Sequence, residues 1–318
     1  MLRTSHQRFE VHGHTWYNSS MGVTDIVTRE PENIKAILAT QFQEFDLGTT
    51  RWEIFYPLLG NGIFTLSQGK GWEHSRALLR PQFNRTQIIN DLDSQDFHVN
   101  RFLDLLPRNE VFDLQPFFFR LTLDTATDFL FGESVESLLE PGEDTPGGAF
   151  AEAFNTALYW LAQRMRAPRL APLLGRKYFP KSCNTARHYV DRFLDKAFDQ
   201  DLKAAREEKE KGEGRQKKYV FLEALAEVTN DRKMITDQLM NILLAGRDTT
   251  AGLLSITIWL LARNKDVWVK LREGILNVIG PTEKPTWEKI KDMKYLRNVL
   301  NECKFLIIFM AELIFWEY

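Results

Sequence analysis

Disulfide chemistry is the first thing this sequence leaves no room for. Two cysteines, Cys183 and Cys303, in 318 residues supply no framework of bridges and suit a reducing compartment. One-signed charge is missing as well. Forty-one basic against 43 acidic side chains leave a net charge of −2, so nucleic acid is not an expected partner. Residues 1–20 are polar and lack the apolar core of a signal peptide. Their histidines, His6, His12 and His14, are scattered and read as solvated rather than as metal ligands. Internal repeats are absent. One largely apolar stretch apart, no segment reaches the length that crosses a bilayer.

That stretch is Met234 to Arg263, the segment round which the chain is organised. Apolar residues run almost all round it at helical spacing, which predicts a helix buried on every side. Thr236 reads as its N-cap, with Asp237 suited to the positive end of the dipole. Such a helix spans on the order of 40 Å, the width of a domain. In its middle stand Ala245, Gly246, Arg247, Asp248, Thr249 and Thr250. Gly246 costs roughly 1 kcal/mol of helix stability against alanine and lets a flat object lie against the backbone. The Thr249 hydroxyl can bond back to the Ala245 carbonyl. A dry Asp248 must pair, bond or take up a proton. An acid beside an alcohol at a local groove suits controlled proton delivery. The bland alternatives are a membrane span or a kinked core helix. Arg247 and Asp248 argue against lipid on all sides, and pattern alone favours the core helix.

The rest of the chain reads mainly as helices. Residues 7–12 and 22–28 alternate as short strands, and Pro31 opens a helix. Gly60-Asn-Gly62 marks a turn. A helix over 71–80 carries Trp72 and Arg76 four apart on one face. An indole N–H beside a guanidinium can hold a carboxylate or phosphate; an isolated pair of this kind is more commonly a surface cation–π contact. Further helices are expected over 86–105, 116–131 (ended by Gly132), 149–166, 184–211, 220–229, from Asn264 to near Gly280, from Pro285, and over 293–302. Residues 140–148 read as a loop. Residues 167–181, with three prolines among leucines and basic residues, read as a mobile connection: a lid, a membrane-touching loop or a plain surface loop. The fold class is mainly α with a minor β-sheet (α+β).

Taken together, Trp72-x-x-x-Arg76 and Ala245-Gly-x-Asp-Thr-Thr250 resemble the cytochrome P-450 heme-thiolate monooxygenases, in order, separation and intervening helices. Leu59-Gly-Asn-Gly-Ile-Phe-Thr65, Ser75-Arg-Ala-Leu-Leu-Arg-Pro-Gln-Phe83 and Phe129-Leu-Phe-Gly-Glu-Ser-Val-Glu-Ser137 are similar to the fungal alkane and fatty-acid hydroxylase branch. The resemblance implies heme as cofactor. It implies that Trp72 and Arg76 hold a propionate, that Ala245 and Gly246 lie against the porphyrin, and that Asp248 and Thr249 deliver protons to dioxygen. It also implies an apolar substrate, electrons from NADPH-cytochrome P-450 reductase, and the cytosolic face of the endoplasmic reticulum membrane for the full-length family. The fold it implies is a cytochrome P-450-like one, here incomplete.

The sequence also departs from the family. Glu302 matches the first member of the E-x-x-R pair, but Phe305 stands where the arginine belongs. The family's axial cysteine lies in a downstream loop that this chain does not reach. Neither Cys183 nor Cys303 has its context, so no metal ligand is assigned, and thiolate-dependent chemistry is expected to fail. Residues 1–302 are therefore read as a partial domain and 303–318 as an unrelated tail. Cys303-Lys-Phe305 can be encoded TGT-AAG-TTT, which contains the splice-donor hexamer GTAAGT, as if an intron had been read through. The family's membrane anchor is expected to be missing too. The competing reading is a non-catalytic helical remnant or interaction protein.

Overall fold

Apolar periodicity and turn residues lay down a stack of helices behind one amino-terminal hairpin. The computed structural model describes residues 2–20, 23–67, 69–83, 92–139, 144–199 and 219–314. The order is α1 (Leu2–His12), β1 (Thr15–Ser20), β2 (Val23–Thr28), α2 (Pro31–Lys35), α3 (Gly48–Leu59), α4 (Lys70–Leu79), α5 (Leu92–Leu105), α6 (Gln115–Phe131), α7 (Pro146–Arg166), α8 (Tyr178–Phe198), α9 (Phe221–Ala226), α10 (Arg232–Arg263), α11 (Lys265–Ile279), α12 (Trp287–Asp292) and α13 (Lys294–Ile314). The expected helical class with a small sheet is what the chain forms. The two strands pair antiparallel, Thr15 opposite Thr28 and Ser20 opposite Val23.

Several local expectations change. Residues 7–12 end a helix rather than form a strand, and Phe9 packs edge-on against Trp16 of β1. Six alternating residues are too few to tell the two periods apart. Helix α3 had no sequence expectation; it buries Ile54, Leu58 and Leu59 and carries Pro57 inside its last turn. The long helix α10 starts earlier than expected. Asp231, not Thr236, is the N-cap and accepts from the Met234 N–H at 3.0 Å. Thr236 is instead buried in the helix body and donates to Asp191 of α8 at 2.9 Å. With 32 residues, α10 is about 48 Å long. Helix α13 continues past Glu302 to Ile314 without a break. Parts of the expected 86–105, 140–148 and 184–211 segments lie outside the described residues.

Residues 167–177 form a strap tied to the helices on either side, and residues 178–181 of the expected connection open α8. Arg164 donates to the Leu174 carbonyl at 3.0 Å and lies over the Phe179 ring at 3.9 Å. Trp160 of α7 stacks on Tyr178 of α8, centroids 6.4 Å apart and planes 4° from parallel. Gly175 sits at φ +62°, where a Cβ would overlap Trp160, so glycine is required there.

The core lies where α10 meets α6, α8 and α9, and where α7 packs on α8. Phe150, Phe154, Phe179, Phe221, Leu239 and Leu243 are fully buried. Among the polar side chains buried in this region are Asp237, Gln238 and Asn241, on the first turns of α10. Buried polar groups need partners, and the Leu59–Phe64 loop after α3 supplies them. Asn61 N–H donates to Asp237 at 2.8 Å, Ile63 N–H to Gln238 at 3.3 Å, and Phe64 N–H to Asn241 at 2.9 Å. The Asn241 amide donates to the Leu59 carbonyl at 2.9 Å. Arg187 of α8 closes on Asp237 at 2.6 Å and Lys233 at 2.9 Å. The approach is so close that a Cβ on Gly60 would overlap the Asp237 carboxylate, and one on Gly62 the Asn241 amide. The turn expected at Gly60-Asn-Gly62 is thus glycine-rich because a helix presses on it.

Two substitutions test this latch. Gly62→Ala costs about 1–3 kcal/mol by overpacking, and Asn241→Ala costs about 1–3 kcal/mol by stranding loop polar groups. The double variant loses less than the sum, because the shortened residue 241 leaves room for the new methyl. Urea midpoints measure this; strict additivity would refute the contact.

Candidate functional site

The face of α10 that the loop covers continues beyond it. Gln238, Asn241, Ala245 and Thr249 follow one another at i, i+3, i+7 and i+11, so they share one stripe. Ala245 lies about 10 Å beyond Gln238 along the axis. Gln238 and Asn241 are wholly buried under the loop, whereas Ala245 is half-buried and Gly246, Thr249 and Thr250 are exposed. A Cβ on Gly246 would meet only the Ala126 methyl of α6, at 3.8 Å. The stripe is therefore clad at its start and bare where the sequence singled out the small residues.

Thr249 makes the expected back-bond, its hydroxyl donating to the Ala245 carbonyl at 2.6 Å. Asp248 has found a partner next door in the sequence: Arg247 donates to its Oδ1 at 2.7 Å. Burial pushes the Asp248 carboxyl above the ordinary carboxylate range, and the Arg247 charge and hydrogen bond hold it back. Its side chain is still 37% exposed, so it can exchange protons with solvent.

Helix α4 docks on the clad end of the same stripe. The Gln238 amide donates to the Ser75 hydroxyl at 2.8 Å, and that hydroxyl donates to the Gly71 carbonyl at 3.0 Å. Trp72 and Arg76 flank Ser75 in this helix. The Arg76 guanidinium lies over the Trp72 ring at 5.5 Å, and Phe42 tilts against the same indole at 6.0 Å. The indole is half-buried and the guanidinium exposed. Among the described residues no side chain or carbonyl accepts a hydrogen bond from either, so their donors are open to an anion. The helix that carries Trp72 and Arg76 is thus joined to the long helix at Gln238, about two turns before Ala245.

Glu302 is exposed on α13 and forms no ion pair among the described residues. Cys183 is buried in α8, its thiol pushed up to about 12 by burial. Cys303 is buried with Leu261, Leu271 and Val299. Among the described residues no three His, Cys, Asp or Glu side chains gather to hold a metal ion.

Sequence reading missed two parts of this site. One is the Asp237, Gln238, Asn241 triplet, whose signal was three polar residues on one face of an otherwise apolar rod. The other is the seat of Arg247, which reaches Asn155 of α7 and lies over Phe119 at 4.9 Å and Phe154 at 5.7 Å. Its only sequence signal was an Arg-Asp doublet in a buried helix.

Comparison with known proteins gives the family. The cytochrome P450 sequence family matches residues 1–303. Cytochrome P450 52A12 of Debaryomyces hansenii is 46% identical over 312 residues, 93% of this chain and 58% of that protein. Cytochrome P450 52A6 of Candida tropicalis is 45% identical over 305 residues, 91% of this chain and 56% of that protein. The chain thus spans under three fifths of the length of these curated relatives. The cytochrome P450DA heme domain superposes with a TM-score of 0.77 at 18% identity, over 95% of this chain and 64% of that one. With the family match over nearly the whole sequence and relatives at about 45% identity, the chain belongs to the cytochrome P450 family.

Proposed function

We propose that this chain forms the distal and propionate-holding part of a heme-dependent monooxygenase that hydroxylates a C–H bond of a long-chain alkane or fatty acid. The observation that carries this is the bare half of the α10 stripe, together with unclaimed Trp72 and Arg76 donors on a helix tied to that stripe at Gln238. Trp72 and Arg76 would hold a propionate by charge-assisted bonds. Ala245 and Gly246 would offer the flat face against which the ring lies. The bound group supplies the dioxygen chemistry, and the protein supplies placement and protons. Asp248 takes a proton from solvent through its exposed edge, and the Thr249 hydroxyl, oriented by the Ala245 carbonyl, passes it into the notch.

An axial thiolate is not assigned to either cysteine. Cys183 is held as a neutral thiol in an apolar cluster, and Cys303 lies among leucine and valine side chains. Residues 1–318 alone are thus proposed to seat the cofactor without turning over. Electrons would come from NADPH-cytochrome P-450 reductase, at the cytosolic face of the endoplasmic reticulum. Among the described residues no helix is long and apolar enough to cross a membrane. Glu302, exposed and followed by Phe305 rather than by its arginine, favours a second reading: a helical remnant that binds no cofactor. The 303–318 segment remains proposed as an unrelated, read-through tail; codons for 303–305 lacking GTAAGT exclude that origin.

Hemin titration separates the two readings. The chain is expected to develop a Soret band, and Arg76→Leu to weaken hemin binding by roughly ten- to a hundredfold, the worth of about 1.5–3 kcal/mol for bonds from a charged donor. Thr249→Ala is expected to leave affinity unchanged. No band at all supports the remnant, and a thiolate-type shift with carbon monoxide overturns the cysteine assignment. A thiol assay gives a further check. Ellman's reagent at pH 8 is expected to leave Cys183 unreacted in the folded chain, because its thiol is protonated well above that pH, and to react with it in denaturant.

A further inference from the structure

Arg247 is out of place on a purely architectural view. Only 6% of it is exposed, it projects from the apolar rod α10, and its Nε finds no acceptor among the described residues. A guanidinium cannot shed its charge, so burying it needs a reason. Its surroundings are specific. The ring of Phe119 on α6 and the ring of Phe154 on α7 lie against the guanidinium. One Nη donates to the Asn155 side-chain carbonyl, one residue after Phe154, and the other donates to Asp248 Oδ1 at 2.7 Å.

The fork is planar and rigid. Packed against two rings and tied at one end to Asn155, it retains one free direction, and that direction ends on Asp248. Of the two Asp248 oxygens, Oδ1 receives this hydrogen bond, while the side chain keeps its 37% exposure at the edge of the Gly246–Thr249 notch.

We propose that Asn155 and Arg247 form a bracket that fixes the orientation of the Asp248 carboxylate at the rim of the notch, making Asn155 a positioning residue for proton transfer although it belongs to a different helix. This rests on reading the notch as the proton-delivery site. The bracket returns Asp248 to its ionised form after each transfer: the proton arrives from water, leaves through Thr249, and the cation draws the next cycle's carboxylate back to the same place. Burial favours the neutral acid and Arg247 opposes it. Among the described residues Arg247 is the charged group that acts on Asp248; α6 and α7 bring Phe119, Phe154 and Asn155, all uncharged. Asp248 in turn supports the buried cation, whose own pKa burial pushes down.

The test is a site-resolved titration of the full chain without hemin. Carboxyl-labelled aspartate is followed by carbon NMR against pH, with Asp248 assigned from the signal lost in Asp248→Asn. Arg247→Leu is expected to move the Asp248 midpoint up by about one to three units, the effect of removing an adjacent opposite charge. Asn155→Leu is expected to move it the same way by a smaller amount, on the order of half a unit, since loss of one hydrogen bond is worth about 1 kcal/mol or less in the coupled charge. Should Arg247→Leu not fold, Arg247→Lys carries that arm, because an ammonium keeps the charge but lacks the planar fork whose separate ends reach Asn155 and Asp248; an upward shift is expected there also. An Asn155→Leu chain that is less stable yet titrates Asp248 at the wild-type midpoint overturns the proposal, since a merely structural role changes stability alone. Hemin is absent throughout, so a failed cofactor reading and a failed bracket give different results.

Discussion

A long apolar helix with three buried polar side chains on one face has to find them partners, and the molecule is arranged round that need. Asp237, Gln238 and Asn241 take theirs from the backbone of the loop between Leu59 and Phe64. Leaving even one buried amide or carbonyl unmatched costs about 1–3 kcal/mol, a large part of a domain's net stability. The loop cannot drift, and the segment that follows it inherits that fixity. Gln238 extends the same contact to Ser75, which places the helix of Trp72 and Arg76 on the long rod. Latch and clamp are thus two stretches of one continuous contact with α10.

Much of this was legible from residue types. Gly132 ends α6 at φ +76°, as a glycine after an apolar run should. The Thr249 back-bond and the pairing of Asp248 follow from what a hydroxyl and an acid do inside a helix. That Trp72 and Arg76 belong with Gly246 is what the resemblance implies; their spacing carries no such signal. What stayed hidden were choices between local and distant partners. Thr236 and Asp231 are both good caps, and only the position of α8, with Asp191 waiting for Thr236, decides between them. Gly60 and Gly62 read as a turn; that they make room for a helix some 180 residues away is a tertiary fact. Asn155 gave no signal at all, being one polar residue on a half-exposed helix.

The central notch also shows how charge is handled inside an apolar rod. Arg247 and Asp248 are neighbours in sequence, and neighbouring helical side chains point about 100° apart. They meet because Arg247 is long enough to turn back, and rings from two other helices keep it there. The pair is a local neutralisation built from non-local packing. A change in α6 or α7 can therefore reach the acid without touching it.

The strap between α7 and α8 has a mechanical meaning of its own. Trp160 stacked on Tyr178, Arg164 bound to the Leu174 carbonyl and Gly175 pressed under the indole weld the two helices at one end. Such a joint transmits displacement instead of absorbing it. If this wall of the molecule moves, α7 and α8 travel as a single lever, with Asn155 and its hold on Arg247 riding along.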